Sequence, residues 1–153
     1  AKNKTHKLLF MGDGPMREEM EKMVEDFNIG AYFTGFVNAS QISKYYSCAD
    51  IVAVVSDYDA SPKALNEAMN FSLPCIATSS VGTASDLIKD GVNGYVIEPF
   101  NVEGIANKIN LLSKNKNLFE KMRTSSKQKI KHWSIDNDVI GIENALNYII
   151  NES

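Results

Sequence analysis

The stretch IVAVVSDYDASPKALNEAMNFSLPCIAT, residues 51–78, decides the fold of this chain. It begins with Ile51 to Val55, a run that is apolar on both faces and is therefore predicted to be a central strand of a sheet. A polar loop follows, and Pro62 is predicted to open a helix with Ser61 as its N-cap, because proline suits the first helical position. Residues 75–78 form a second apolar run. Strand, helix and strand in this order are typical of a βαβ unit in a parallel sheet.

The same alternation extends from this unit toward both ends of the chain. Further strands are predicted at Lys7 to Met11, Tyr32 to Phe36 and Gly94 to Ile97, and after Asn101 only helices, at about Val102 to Lys114, Leu118 to Trp133 and Ile135 to Asn151. We therefore predict an α/β fold, a doubly wound parallel sheet with a helical C-terminal tail, whose binding loops follow the strands. Residues 1–153 are expected to form a single domain, on which most of the last helix's apolar stripe packs.

Composition argues against several functional classes. The net charge of −3 and the scattered lysines and arginines give no basic footprint for nucleic acid, and no run of about 18 apolar residues predicts a membrane span. Cys48 and Cys75 lack CxxC spacing and are expected to be buried free thiols. His6 and His132 stand alone, so we expect no metal site.

The turn Gly12-Asp13-Gly14-Pro15 follows the first predicted strand and precedes a helix. Backbone amides and the helix dipole favour an anion at such a place. The pattern is neither GxGxxG nor a P-loop, since no Lys-Ser or Lys-Thr follows it. A tight turn in which only glycine fits is therefore an equally good interpretation.

The segment of residues 56–69 is more informative. Its loop carries two aspartates, and the first amides of the helix that follows, around Lys63 to Leu65, are placed to hold a phosphate. Glu67 lies in the second turn, where a carboxylate is suited to accept two hydrogen bonds from a sugar diol. The alternative is an acid that only stabilises a solvated helix. Its apolar neighbours favour a buried helix, in which an acid needs partners.

Seven segments in one order resemble the C-terminal domain of the large retaining glycosyltransferase family of the GT-B fold, glycosyltransferase group 1 or family 4. The resemblance covers the chain from about Lys7 onward and is carried by Leu9 to Pro15 (LFMGDGP), Phe33 to Val37 (FTGFV), Tyr45 to Asp50 (YYSCAD), Asp59 to Glu67, Glu67 to Thr78 (EAMNFSLPCIAT), Asp90 to Val96 (DGVNGYV) and Glu98-Pro99. It implies a Rossmann-like donor-binding half. We accordingly expect the chain to be a fragment that lacks the first βα unit and the N-terminal acceptor domain.

The resemblance also implies roles for individual residues. Glu67 contacts the nucleotide ribose and Asp59 the transferred sugar, and these two acids form the catalytic pair. Asp59 stands where the family normally has Glu, and Pro62, which has no N–H, stands where glycine is usual. The other residues assigned to the nucleotide-sugar site are Gly12 and Gly14 in the first turn, Phe36 and Val37 at the base, and the amides of Lys63, Ala64 and Leu65 at the diphosphate.

The implied activity is transfer of a sugar from a nucleoside diphosphate sugar to an acceptor hydroxyl with retention. The resemblance implies no metal ion or other cofactor, so helix amides and cations, here Lys63, stabilise the leaving diphosphate. The acceptor is a glycan or glycolipid that the missing domain binds, and the isolated fragment is expected to be inactive. A cytoplasmic location is expected, with association at the inner face of the membrane left open.

Three alternatives remain at this point. A response-regulator receiver domain shows a similar alternation, but it needs paired acids after its first strand and a lysine after its fifth, where this chain has Gly12-Asp13 and Glu98-Pro99. Another GT-B enzyme, such as an epimerase or a phosphorylase, shares the donor half. A non-catalytic domain that binds nucleotide sugars keeps the same Glu67 helix.

Overall fold

A computed structural model describes residues 6–151 of the chain. Strands and helices alternate in this part as β1 (Leu8–Phe10), α1 (Arg17–Asp26), β2 (Ala31–Phe33), α2 (Ile42–Cys48), β3 (Val52–Val54), α3 (Lys63–Asn70), β4 (Cys75–Thr78), α4 (Ala84–Leu87), β5 (Gly94–Ile97), α5 (Val102–Lys114), α6 (Lys116–Ile130) and α7 (Ile135–Asn151). All strand pairs are parallel, so the predicted α/β class is confirmed. The described residues divide into two compact units, within 6–49 and 50–151.

The first unit is a βαβ unit followed by α2. Its strands β1 and β2 pair in register Leu8 with Ala31 and Phe10 with Phe33, and the two phenylalanine rings stack at 4.6 Å between centroids. Within residues 6–49 only Gly35 and Tyr46 are buried. The unit therefore excludes little apolar surface from water, and its order rests largely on backbone hydrogen bonds.

The second unit contains a three-stranded sheet of order β3-β4-β5. All four residues of β4 are buried, whereas β3 lies at one edge of the sheet, with Ala53 exposed and Val55 53% exposed. The prediction that residues 51–55 form a central strand is therefore wrong for this sheet. Strand position depends on the crossover connections, and these place β4 between two parallel partners.

The core of the second unit lies on both sides of β4. Helix α3 buries Leu65, Ala68 and Met69 and packs on α6. A second cluster joins Ile76 of β4 to residues of β5, α5 and α6, namely Tyr95, Ile97, Leu112 and Met122. Each large apolar side chain buried in this way contributes roughly 1.5–3 kcal/mol. Helix α3 is thus held along its length.

Buried hydrogen bonds fix the connection into β5. The Asn93 side chain, 2% exposed, accepts from the Lys89 N–H at 2.7 Å and donates to the Leu87 carbonyl at 2.9 Å. The buried Ser126 hydroxyl donates to the Asn93 carbonyl at 3.1 Å and ties this turn to α6. These bonds explain asparagine in the sequence DGVNGYV, since one amide side chain both donates and accepts.

Helix α7 has no buried residue, and its apolar stripe is exposed. The exposed fractions run from 48% at Val139 to 81% at Ile135. The expectation that most of this stripe packs on the domain is wrong, because the core between α3, β4 and α6 closes without it. None of the helices within residues 6–151 combines the length and the apolar content needed to cross a bilayer.

The two thiols differ from each other. Cys75 is buried, as expected, and burial raises the pKa of its thiol to about 12. Cys48 is exposed, so the prediction that it is buried is wrong. It lies in the last residue of the short helix α2, where its Sγ donates to the Tyr45 carbonyl at 3.1 Å.

Candidate functional site

Helix α3 begins at Lys63, directly after the loop that carries the predicted acids. The N-cap residue is Pro62, with φ −69° and ψ 123°, and no side chain caps this helix end. The prediction of Ser61 as the N-cap and Pro62 as the first helical residue is therefore off by one position. Pro62 therefore does not compete with a bound anion for the N–H groups at this helix end.

The three amides predicted to hold a phosphate differ in their surroundings. Lys63 is exposed, Ala64 is half-buried and the Leu65 side chain is fully buried. The Leu65 N–H donates to the Pro62 carbonyl at 3.4 Å, a long bond that engages this amide weakly. The Lys63 amide is thus better placed for an anion than the Leu65 amide.

Glu67 lies one turn further along α3 and is half-buried. Residues 63 and 67 are four apart, so their side chains lie on the same face of the helix. The buried residues Leu65, Ala68 and Met69 occupy the opposite face, as the apolar pattern predicted. The cation and the carboxylate are thus presented along one side of a helix that the core holds fixed.

Asp59 lies in the loop before α3 and is half-buried. Its main chain is tied to the loop after β4: its N–H donates to the Ser80 carbonyl at 3.5 Å, and its carbonyl accepts from the Gly82 N–H at 2.8 Å. Its Oδ1 accepts from the Ser61 N–H at 3.2 Å. The other carboxylate oxygen forms no hydrogen bond within residues 6–151, so it can accept one from a ligand.

Gly82 makes the contact between these two loops possible. A Cβ atom at this position would lie 2.3 Å from the Ala60 carbonyl oxygen, a distance that no side chain tolerates. Sequence reasoning gave Gly82 no role. The glycine in the run SSVGT was the available signal, but the contact joins residues 22 positions apart along the chain.

Hydroxyl groups connect the same loops below Asp59. The Thr78 side chain, 2% exposed, accepts from the Ser56 N–H at 3.1 Å and donates to the Ser56 carbonyl. The Ser80 hydroxyl also donates to that carbonyl. The buried Thr83 Oγ1 has no hydrogen-bond partner within the described part of the chain, which leaves it available to a ligand or water.

The turn of the first unit combines glycine conformations with local charge pairs. Gly12 has φ +119°, which favours glycine, and its N–H donates to the Gly35 carbonyl at 3.1 Å. Gly14 needs neither a special φ nor free space. Arg17, the first residue of α1, pairs with Asp13 at 3.4 Å and with Glu21 at 2.8 Å. The hydrogen bond to Glu21 raises the pKa of Arg17, so this cation, which sequence reasoning missed, keeps its charge.

The predicted base-binding residues follow β2 in the first unit. Phe36 is 82% exposed and Val37 is half-buried. They follow Gly35, which is buried and has φ +65°. An exposed aromatic ring after such a turn offers a face on which a planar base can stack. The structure leaves this assignment as a prediction.

Two open cavities, of about 570 and 410 Å³, lie along α6. Neither is lined by Asp59, Lys63 or Glu67. Within residues 6–151, no three His, Cys, Asp or Glu side chains lie close enough together to share a metal ion.

Known proteins identify the family of this chain. The family model described as "Glycosyl transferases group 1" matches residues 1–129, which include both predicted acids and the loop that holds Asp59. The chain belongs to the glycosyl transferases group 1 family. As the resemblance implied, the chain matches the C-terminal domain of GT-B glycosyltransferases of this group.

Individual relatives are moderately similar. An uncharacterized glycosyltransferase of Methanocaldococcus jannaschii is 35% identical over 102 residues, 65% of this chain and 26% of that protein. A Campylobacter jejuni α-1,4-N-acetyl-D-galactosaminyltransferase, whose name specifies a diphosphate-undecaprenol-linked glycan, is 28% identical over 130 residues, 85% of this chain and 36% of that protein. The chain thus spans about a quarter to a third of the length of these relatives.

Solved structures of the group share this fold. A structure of Staphylococcus aureus TarM in complex with fondaparinux, α-GlcNAc-glycerol and UDP superimposes with a TM-score of 0.82 at 27% identity, over 95% of this chain and 29% of that one. A structure of Anabaena HepE in complex with UDP-glucose has a TM-score of 0.75 at 21% identity, over 95% and 40%.

Proposed function

We propose that this chain binds the donor of a glycosyltransferase that moves a sugar from a nucleoside diphosphate sugar to an acceptor hydroxyl with retention. One observation carries the proposal most directly. The loop that bears Asp59 is bonded to the loop after β4 and leads straight into the uncapped amino end of α3. A carboxylate and helix amides are thereby held in fixed order along one segment.

The proposed division of roles follows the chemistry of each group. The amides of Lys63 and Ala64, the dipole of α3 and the Lys63 ammonium stabilise the diphosphate as its bond to the anomeric carbon breaks. Glu67 accepts hydrogen bonds from the ribose diol. Asp59 holds sugar hydroxyls through the oxygen that is not bonded to Ser61, and it positions the sugar rather than attacking it.

The acceptor and the location of the intact enzyme are part of the same proposal. The name of the Campylobacter relative specifies a lipid-linked glycan, which supports a glycan or glycolipid acceptor here. We place the reaction in the cytoplasm. We also propose that the donor is used without a metal ion or other cofactor. Base recognition by Phe36 and Val37 is tested separately, by substituting Phe36→Ala.

Calorimetric titration of the 153-residue chain with UDP, GDP and ADP tests the proposal. We expect saturable binding of one nucleotide, and Glu67→Gln should weaken it about tenfold, because the amide accepts one hydrogen bond in place of two charge-assisted ones. Glu103→Gln is the matched control, since Glu103 is an exposed acid in the first turn of α5 and should leave binding unchanged.

Two results would count against the proposal. Equal loss in the Glu67 and Glu103 variants would show that overall charge, not the α3 site, controls binding. Absence of binding by all three nucleotides would remove the donor role altogether.

A further inference from the structure

Helix α6 carries a charge opposite to that of the chain. Its residues Lys116–Ile130 include five cationic side chains and one acidic one, Glu120, whereas the whole chain has a net charge of −3. Arg123, Lys127 and Lys131 follow one another at intervals of four, which places three cations on one face about 6 Å apart along the axis.

These three cations line the cavity of about 410 Å³. Its wall also includes Ser72 and Thr124 and the carboxylate of Glu120. Arg123 is held in place, because its Nε donates to the Ser72 carbonyl at 3.4 Å and its Nη1 lies 3.8 Å from Glu120 Oε2. Within residues 6–151 neither Lys127 nor Lys131 forms an ion pair, so both ammonium groups are available.

Ser72 enters this cavity from the end of α3. Its N–H donates to the Met69 carbonyl and the Leu73 N–H donates to the Ala68 carbonyl, which closes the helix in a Schellman motif with Ser72 at φ +62°. Glycine is the usual residue at this position because it has no strain there. Here the position is a serine, and this residue lines the cavity.

The cavity is separate from the proposed donor site. Ser72 follows the carboxyl end of α3, whereas Lys63 and Ala64 form its amino end, and eight helical residues span about 12 Å. Ser72 also precedes β4, so it lies at the amino edge of the sheet, and the donor loops lie at the carboxyl edge. One helix therefore connects two sites of different composition.

We propose that this cavity binds a phosphate group through Lys127, Lys131 and Arg123, with the Ser72 hydroxyl as a neutral donor. Three cations and one carboxylate leave two net positive charges, which matches the charge of about −1.5 to −2 on a phosphate monoester at pH 7. The phosphate comes either from a soluble ligand or from a lipid headgroup. This inference does not depend on the donor site at α3.

Amide proton–nitrogen NMR spectra of the chain, titrated with inorganic pyrophosphate, test for the soluble ligand. We expect shifts at Ser72 and at residues 123–131, separate from any shifts at residues 63–65. The double variant Lys127→Gln/Lys131→Gln should weaken this binding about tenfold or more. Lys114→Gln/Lys116→Gln removes two exposed lysines that do not line the cavity, and should change the affinity by less than about twofold.

Cosedimentation with vesicles of phosphatidic acid in phosphatidylcholine, whose minor lipid carries a phosphate monoester, tests for the lipid source with the same two double variants. Binding of either probe that is lost in the 127/131 variant and kept in the 114/116 variant supports the site. Binding of neither probe, or equal loss in both variants, overturns it.

Ser72→Gly separates ligand binding from folding, because the two effects have opposite signs. Glycine relieves the strain at φ +62° and should raise the melting temperature, while loss of the hydroxyl should weaken binding of whichever probe the wild-type chain binds. Weaker binding in a more stable protein supports the site. Unchanged binding in this variant removes Ser72 from the proposal.

Discussion

The two compact units contain the same kinds of local interaction, but only the second unit surrounds them with a packed core. Each has a strand, a loop with an aspartate that bonds a following N–H, and a threonine that bridges backbone groups. In the first unit only Gly35 and Tyr46 are buried within residues 6–49, whereas the second unit closes a core around β4. A turn is therefore preorganised as a site where a second loop and a packed helix hold it in place.

The two cysteines give the largest expected contrast between the units. Because burial raises the pKa of Cys75 from 9.0 to about 12, its thiolate fraction at pH 8 is about a thousandfold below that of an ordinary thiol. We expect a disulfide reagent to label exposed Cys48 at once and Cys75 only on unfolding, with mass spectrometry to assign the sites. Fast labelling of Cys75 in the folded chain would contradict the packed core of the second unit.

The same pKa shift gives a pH dependence of stability. Between pH 9 and about 12 the unfolded chain loses the Cys75 proton while the folded chain keeps it. The contribution of Cys75 is therefore complete below pH 9, and the free energy of unfolding should fall as pH rises through this window. Denaturant titrations of wild type and Cys75→Ala across this pH range measure the effect: the free energy of unfolding should fall less steeply with pH in the variant, where Tyr95, whose pKa burial also raises, still contributes.

Gly82→Ala should disrupt the second unit's loops. A Cβ atom would lie 2.3 Å from the Ala60 carbonyl oxygen, so the loop that bears Asp59 must move, at a cost of about 2–3 kcal/mol in the free energy of unfolding. Nucleotide binding should fall with it. Gly14→Ala in the first unit is the matched control, since its Cβ meets nothing within 4 Å. Equal losses of stability in Gly82→Ala and Gly14→Ala would contradict the view that only the loop at Gly82 is tightly packed.

Thr78→Val and Thr34→Val compare the two bridging threonines. Thr78 is 2% exposed and bonds both backbone groups of Ser56, so its loss should cost about 1–2 kcal/mol by leaving the Ser56 N–H unsatisfied, while the Ser80 hydroxyl still donates to the Ser56 carbonyl. Thr34 accepts from the Gly12 N–H and donates to the Gly35 carbonyl in a half-buried position that water can reach. Its loss should cost less, as chemical denaturation will measure. A larger loss in the free energy of unfolding for Thr34→Val than for Thr78→Val would contradict this expectation.

Arg17→Gln should have the smallest effect. Its ion pairs to Asp13 and Glu21 lie on the solvated surface of α1, where salt and water screen them. We expect an unchanged melting temperature at physiological salt. A clear decrease would mean that the turn of the first unit depends on these charges after all.

Features that depend on local interactions could be predicted from the sequence, whereas contacts between distant residues could not. The predicted bounds of β4, β5, α5 and α7 agree with the structure, because apolar runs and capping residues mark them locally. The bond between Asp59 and Gly82 and the contact of Gly82 with Ala60 join distant residues, and one sequence carries no sign of such pairs. The exposure of α7 was missed for a related reason, since a stripe predicts an apolar face but not whether this chain covers it.

We propose that the amino end of α3 holds the diphosphate of a nucleotide. Amide proton–nitrogen spectra titrated with UDP test it most directly, because each backbone amide reports on its own surroundings. We expect saturable shifts at Lys63 and Ala64. Smaller shifts are expected at Asp59 and Gly82, whose loops are joined by backbone hydrogen bonds. UDP binding that shifts other amides and leaves residues 63 and 64 unmoved would contradict it.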